Sequence, residues 1–245
     1  MKTALITGAN KGIGFETARK LLQKGYFVYL GSRNIENGQN AEKQLKSEGF
    51  SNFEILPLDV SLQDSADQAK KQIDLKTGKL DLLINNAGIS GTLPQTALET
   101  HPAEYEKVLQ TNLFGVMRIT QSCISLLRKS EEPRIVNVST SVGSLTAQSD
   151  PELMAYDSAK YAVYAVSKAA MNMYTVILAY ELRDSRFKVN AVCPGYTKTD
   201  FTNQQGGGVE VAAERIIKYA LIGNNGPTGK FFSEETNPES GEIAW

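Results

Sequence analysis

Along the chain, short apolar runs rich in β-branched residues alternate with longer stretches whose apolar positions return every three to four residues. The short runs are TALIT (3–7), FVYLG (27–31), FEILPL (53–58), DLLIN (81–85), RIVNVS (134–139), VNAVC (189–193) and KFF (230–232), each of strand length. Amphipathic stretches at 12–24, 36–48, 62–76, 104–128 and 209–221 lie between them and suit crossover helices. Strand, helix, strand repeated in this way predicts an α/β fold. The expected architecture is one doubly wound parallel sheet of about seven strands with helices on both faces, three layers in all.

Three loops stand out from this rhythm, at 143–155, 196–208 and 233–245. The second contains three consecutive glycines (206–208), which would let the segment ahead of the next helix move, and the third is polar without a clear period. Nothing divides the chain into parts, neither repeat nor low-complexity tract nor long Pro/Gly linker, so residues 1–245 read as one domain. The stretch from Tyr164 to Arg183 is apolar on more than one face, which fits either deep burial or a subunit interface, and monomer or homo-oligomer stays open.

Composition narrows the partners. With 26 basic and 27 acidic residues there is no basic field for nucleic acid, and the expected partner is a small molecule rather than nucleic acid or a membrane. The opening MKTALITGAN lacks the apolar core and cleavage site of a signal peptide, so a cytoplasmic location is expected. Cys123 and Cys193 sit in apolar sequence and read as buried thiols. His101 is the only histidine, and no metal site of the usual kinds is expected.

The first strand runs directly into TGANKGIG (7–14), which opens a helix. Gly8, Gly12 and Gly14 permit a tight turn and close backbone approach, so that a pyrophosphate could sit at the positive helix end. At the end of the second strand, LGSRN carries no acid to hold ribose hydroxyls. Arg33, with Lys11, could instead converge on a 2′-phosphate, which favours NADP(H) over NAD. Asp59 after the third strand either accepts from an adenine amino group or caps the helix beginning near Ser61. NNAG (85–88) offers further polar groups at the same sheet edge.

YDSAKYAVYAVSK (156–168) contains Tyr-x-x-x-Lys twice, as Tyr156 with Lys160 and Tyr164 with Lys168. In either pair a spacing of four puts both side chains on one helical face, so local geometry does not separate them. On one continuous helix the two tyrosines would stand about 12 Å apart along the axis, too far to share a pocket.

TGANKGIG, NNAG, the asparagine of QTNLFG, NVSTSVG, YAVSK and NAVCPG follow one another across residues 3–200. As an ordered set they resemble the short-chain dehydrogenase/reductase family, and GSRN with GPTGKFFSE is most similar to its NADPH-dependent carbonyl reductases. The resemblance implies a Rossmann-type sheet and a catalytic set of asparagine, serine, tyrosine and lysine. It selects Tyr164 and Lys168, because YAVSK has the family's Tyr-x-x-Ser-Lys form and lies at the family's interval from NAVCPG. Tyr156 then borders the substrate or is merely packed. Asn112 matches the asparagine, as a buried kink supporting a proton relay through Lys168. Thr140 falls where the family most often has serine, with Ser139 and Ser141 as flanking alternatives. The cofactor contacts implied are Gly8, Asn10, Lys11, Gly12, Ile13, Gly14, Arg33, Asp59, Val60, Asn86, Ala87, Gly88, Tyr164, Lys168, Pro194, Gly195, Thr197 and Thr199.

The expected chemistry is reduction of a ketone or aldehyde by NADPH, with Tyr164 as general acid. Lys168 is expected to lower the tyrosine's pKa and to hold the nicotinamide ribose. The alternatives are a dinucleotide sensor or scaffold without turnover, and an NAD-dependent secondary-alcohol dehydrogenase of the same fold.

Overall fold

Strand residues one apart on the first strand enter different cores. Ala4 and Ile6 pack with one set of helices and Leu5 with the other, and Val28 and Leu30 part from Tyr29 in the same way. Such complete burial of both faces marks a sheet covered on both sides. The computed structural model describes residues 1–153 and 160–245, and Tyr156 therefore lies outside the described residues.

In chain order the elements are β1 (Thr3–Ile6), α1 (Gly12–Gln23), β2 (Phe27–Ser32), α2 (Ile35–Ser47), β3 (Phe53–Pro57), α3 (Gln63–Lys76) and β4 (Leu82–Asn85). They continue with α4 (Pro102–Asn112), α5 (Phe114–Leu127), β5 (Arg134–Val138), α6 (Leu145–Ser149), α7 (Ala162–Glu181), β6 (Lys188–Val192), α8 (Val209–Ala220), β7 (Phe231–Phe232) and β8 (Glu242–Ile243). Among the described residues the strands form one eight-stranded sheet in the order β3-β2-β1-β4-β5-β6-β7-β8. Every pairing is parallel except β7 with β8.

Helices α1, α2 and α8 cover one face, with Phe15, Leu21, Leu45, Ile216 and Ile217 against the sheet. Helices α3, α5 and α7 cover the other through Ile73, Ile119, Leu126, Leu127 and Leu178. The chain leaves β1 toward β2 on one side and toward β4 on the other, so the crevice above β1 and β4 is the switch point where such sheets bind ligands.

The structure departs from expectation in several places. The stretch 104–128 is two helices, broken at Leu113, whose backbone (φ −117°, ψ −64°) leaves the helical path. Apolar periodicity continues across the break and so conceals it. The tail 233–245, expected to be a polar loop, contributes β8, whose two residues are too few to show a period. Trp245 stacks on Phe231 with ring centroids 5.3 Å apart, anchoring that strand. The glycines at 206–208 also permit close contact. A Cβ at Gly206 would lie 2.4 Å from the Tyr196 carbonyl oxygen, and Gly207 N–H donates to that same oxygen at 2.8 Å.

Helix α7, 20 residues with a mean hydropathy of 1.2, has the length and composition of a membrane span. Its buried side holds Ser167, Lys168, Asn172 and Thr175, all hydrogen-bonded within the protein, which marks it as a core helix. Val166, Met173, Ile177 and Tyr180 remain exposed on its other side, so its apolar surface is only partly accounted for by burial.

Candidate active site

The site assembles at the carboxyl ends of β1, β4, β5 and β6. After β1, Gly8 (φ +63°) and Gly12 (φ +58°) adopt left-handed backbone, where a side chain would be strained. Gly14 is required by contact, since a Cβ there would stand 2.5 Å from both the Gly8 carbonyl oxygen and Asn86 Nδ2. The turn is clamped from β4. Asn86 Nδ2 donates to the carbonyls of Thr7 (2.9 Å) and Gly8 (3.0 Å), and Thr7 Oγ1 accepts from the backbone of Asn86 and Ala87 at 3.0 Å. The Asn86 side chain is thus a brace for the turn, with no amide hydrogen left for a ligand. Helix α1 begins behind Lys11 with no side-chain cap and no acid in its first turn, so its opening N–H groups present the positive end of the helix to the crevice.

Arg33 is exposed and has no ion-pair partner among the described residues. Lys11 is engaged elsewhere in this structure. Its ammonium pairs with Asp200 at 2.6 Å, both side chains exposed, and holds the Asp200 carboxyl below the usual carboxylate range. Of the two cations expected on one phosphate, Lys11 thus carries an exposed ion pair while Arg33 carries none among the described residues. Asp59 spends Oδ1 on the turn ahead of α3, accepting from Ser61 N–H (2.9 Å) and Ser61 Oγ (2.6 Å). Val60 is buried, with its Cγ2 so near Gly115 that a Cβ there would come within 2.8 Å.

Asn112 ends α4 and is fully buried. Its Oδ1 accepts from Ile89 N–H and its Nδ2 donates to the Ile89 carbonyl and to Ser167 Oγ, each at 2.9 Å. A Cβ on Gly88 would lie 3.4 Å from Asn112 Oδ1 and 3.7 Å from Lys168 Nζ, so this glycine occupies the narrow gap between them. The kink expected at Asn112 is the junction of α4 and α5.

On α7, Lys168 is buried and donates to the Val138 carbonyl at 2.7 Å. Its Nζ lies 5.8 Å from the centroid of the half-buried Tyr164 ring. Burial lowers the Lys168 pKa to about 8, because the charged form has lost water. The same loss of water pushes the Tyr164 phenol above its ordinary value, with the neighbouring Cys193 adding to the rise. That direction favours the neutral phenol, the form that donates a proton.

Of the three adjacent hydroxyls after β5, Ser139 is buried and donates to Asn172 Oδ1 at 2.7 Å, so it faces into the protein. Thr140 is half-buried, and its Oγ1 only accepts, from Val142 N–H at 3.3 Å, leaving its hydrogen available. Gly143 lets this turn lie against α7, because a Cβ there would be 2.8 Å from Lys168 Cβ. Asn172 Nδ2 then donates to the Gly143 carbonyl at 3.1 Å. Asn172 was not singled out from sequence, although it follows Tyr164 and Lys168 at successive intervals of four and so shares their face.

After β6, Arg215 donates to the Pro194 carbonyl at 2.8 Å, and Gly195 (φ +91°) turns the chain back over the crevice. Thr197 Oγ1 donates to the Gly195 carbonyl at 2.9 Å. Thr199 reaches the glycine turn, its Cγ2 standing 3.4 Å from where a Gly12 Cβ would be. Phe201 lies against Tyr164, ring centroids 5.2 Å apart and planes inclined at 54°.

A glycine turn, a buried asparagine and a Tyr–Lys pair at one sheet edge find their match in sequence comparison, where the short chain dehydrogenase family profile spans residues 2–208. The chain belongs to the short-chain dehydrogenase family. It is thus an oxidoreductase of a family that uses a nicotinamide cofactor. This short-chain dehydrogenase is 34% identical to (-)-isopiperitenone reductase of Mentha piperita, over 95% of this chain and 96% of that protein. It is also 34% identical to a (+)-neomenthol dehydrogenase of Arabidopsis thaliana, over 95% and 96%. Among solved structures, salutaridine reductase from Papaver somniferum superposes with a TM-score of 0.83 at 30% identity, covering 95% of this chain and 100% of that one. The NADPH-bound carbonyl reductase from chicken fatty liver gives a TM-score of 0.85 at 25% identity, covering 100% and 99%.

Proposed function

We propose that this short-chain dehydrogenase is an NADPH-dependent reductase that converts a small ketone or aldehyde to the alcohol. The observation that carries the reading is the pairing on one helical face of Tyr164 with the buried Lys168, whose Nζ lies 5.8 Å from the tyrosine ring centroid at the carboxyl edge of the sheet. The likeness to an NADPH-bound carbonyl reductase supports both the cofactor and the substrate class.

The residues fit such a cofactor. The open N-terminus of α1 behind Gly8 and Gly12 suits a pyrophosphate, the unpaired Arg33 suits a 2′-phosphate, and no acid at the end of β2 would repel one. Lys168, the backbone of Ala87 and Gly88, and the Pro194–Thr199 turn would hold the nicotinamide end. When bound, the reduced nicotinamide supplies the hydride.

The chain's own part is to orient the carbonyl and to supply a proton. Thr140, with an uncommitted hydroxyl hydrogen, binds the substrate oxygen, and Tyr164 donates its proton to that oxygen as negative charge develops there. Lys168 stabilises the resulting phenolate, and Asn112 fixes the loop through Ile89 beside which the proton is replaced. The test is NADPH oxidation with a panel of small carbonyls, menthone among them, by wild type, Tyr164→Phe and Thr140→Ala. Turnover in wild type with a loss of at least a hundredfold in Tyr164→Phe is expected. A Tyr164→Phe enzyme as active as wild type would refute the mechanism, and tight NADPH binding with no turnover on any carbonyl would refute the reductase assignment.

A further inference from the structure

Helix α7 starts at Ala162 behind Tyr161, whose side chain provides no cap. A helix start leaves its first N–H groups without intrahelical partners, and leaving such groups buried and unbonded is costly. Gln95, 68 residues before Val163 in the chain, supplies the missing acceptor. Its Oε1 accepts from Val163 N–H at 3.0 Å and from Tyr164 N–H at 3.1 Å, while its Nε2 donates to the Ser90 carbonyl at 2.7 Å. The side chain is buried, at 6% exposure. Only one orientation of the amide serves all three partners, since two are N–H donors and the third is a carbonyl.

The Tyr164 backbone is thereby held at both ends. Its N–H is bound by Gln95, and its carbonyl accepts from Ser167 Oγ at 2.7 Å, a hydroxyl that itself accepts from Asn112. Gln95 and Asn112 also grip one loop at adjacent residues, Ser90 and Ile89, directly after Gly88. That loop, the first turn of α7 and the α4–α5 junction form one braced unit around the tyrosine.

We propose that Gln95 is a positioning residue for the general acid, fixing the first turn of α7 and with it the place of the Tyr164 phenol. The inference rests on Tyr164 being that acid. First turns of helices fray when uncapped, and a misplacement of about 1 Å at a reacting group can cost on the order of a hundredfold in rate. Gln95 does not touch the reacting atoms; it acts through the backbone of the residue that does.

The experiment compares Gln95→Met, which keeps the length but none of the three hydrogen bonds, with Gln95→Glu, whose carboxylate still accepts from both N–H groups while giving up the donation to the Ser90 carbonyl. NADPH oxidation with menthone gives kcat and KM, fluorescence titration gives the NADPH Kd, and Tyr164→Phe is run alongside. Gln95→Met should lose at least tenfold in kcat with the NADPH Kd within twofold of wild type, and Gln95→Glu should recover most of the loss. Should Gln95→Met fail to fold, Gln95→Asn, an amide one methylene too short to reach both N–H groups, should lose at least threefold in kcat with the same unchanged Kd. Turnover by Gln95→Met (or by Gln95→Asn in its place) within twofold of wild type, or equal loss in the Met and Glu variants, overturns the proposal while an inactive Tyr164→Phe leaves the mechanism standing. A fully active Tyr164→Phe overturns both.

Discussion

Asn112 Nδ2 donates to Ser167 Oγ at 2.9 Å, joining the end of α4 to the helix that carries Tyr164 and Lys168. Ser167 passes the constraint on by donating to the Tyr164 carbonyl, so the serine of YAVSK is a link between the asparagine and the tyrosine. Replacing Asn112 by Leu removes three hydrogen bonds, one buried and two part-buried, and strands Ile89 N–H and carbonyl. Each buried polar group left unsatisfied costs about 1–3 kcal/mol, so a fall in stability of about 2–5 kcal/mol is expected in denaturant unfolding. Ser167→Ala should cost about 1 kcal/mol and lower kcat by several-fold without changing NADPH affinity.

Arg33 and Lys11 should separate in their effects on cofactor choice. Arg33 is exposed and has no ion-pair partner among the described residues, whereas Lys11 is paired with Asp200. Arg33→Ala is expected to weaken NADPH binding at least tenfold and NADH binding by less than twofold, and Lys11→Ala to weaken NADPH binding by less than Arg33→Ala does. Titration of both cofactors against both variants checks this, and equal weakening of NADPH and NADH by Arg33→Ala would remove the phosphate assignment.

Lys168 gives the protein a signature in the pH dependence of its stability. Its pKa is about 8 in the folded chain and near 10.5 in the unfolded one, so between these values the unfolded state binds more protons and stability rises with pH. Below pH 8 the penalty for burying the charge is fully present. The raised phenol of Tyr164 acts in the opposite direction only as pH passes its unfolded value near 10. Cofactor-free wild type should therefore gain melting temperature relative to Lys168→Met as pH increases from 8 to 10, and parallel profiles for the two proteins would contradict it.

Phe201 covers one side of Tyr164 from the loop after β6. Phe201→Ala removes that wall while leaving the Asp200 pairing and the Thr199–Thr202 turn in place. The expected outcome is a rise of about three- to tenfold in KM for small carbonyls, about the 1 kcal/mol of a lost aromatic contact, with kcat less affected. Steady-state kinetics across substrates of increasing size would show the effect fading as larger substrates fill the space.

Continuous apolar runs of strand length, alternating with helical stretches periodic at three to four, already pointed to the parallel three-layer fold, because strands like ALI and VYL are apolar on both faces and need cover on both. Likewise TGANKGIG, NNAG and YAVSK located the crevice, since the left-handed backbone of Gly8 and Gly12 and the spacing of Tyr164 and Lys168 are local matters. What depended on distant chain segments was legible only in three dimensions. The pairing of Lys11 with Asp200 joins residues 189 apart in the chain. Desolvation around α7 raises the Tyr164 phenol and lowers the Lys168 ammonium, effects of burial that spacing along one helix does not report. Ser139 was separated from Thr140 by the position of Asn172, and Gln95 gained its role from a helix start that no sequence period connects to it. Periodicity reports which face a residue takes within its own element; which partner waits on that face is decided when the elements meet.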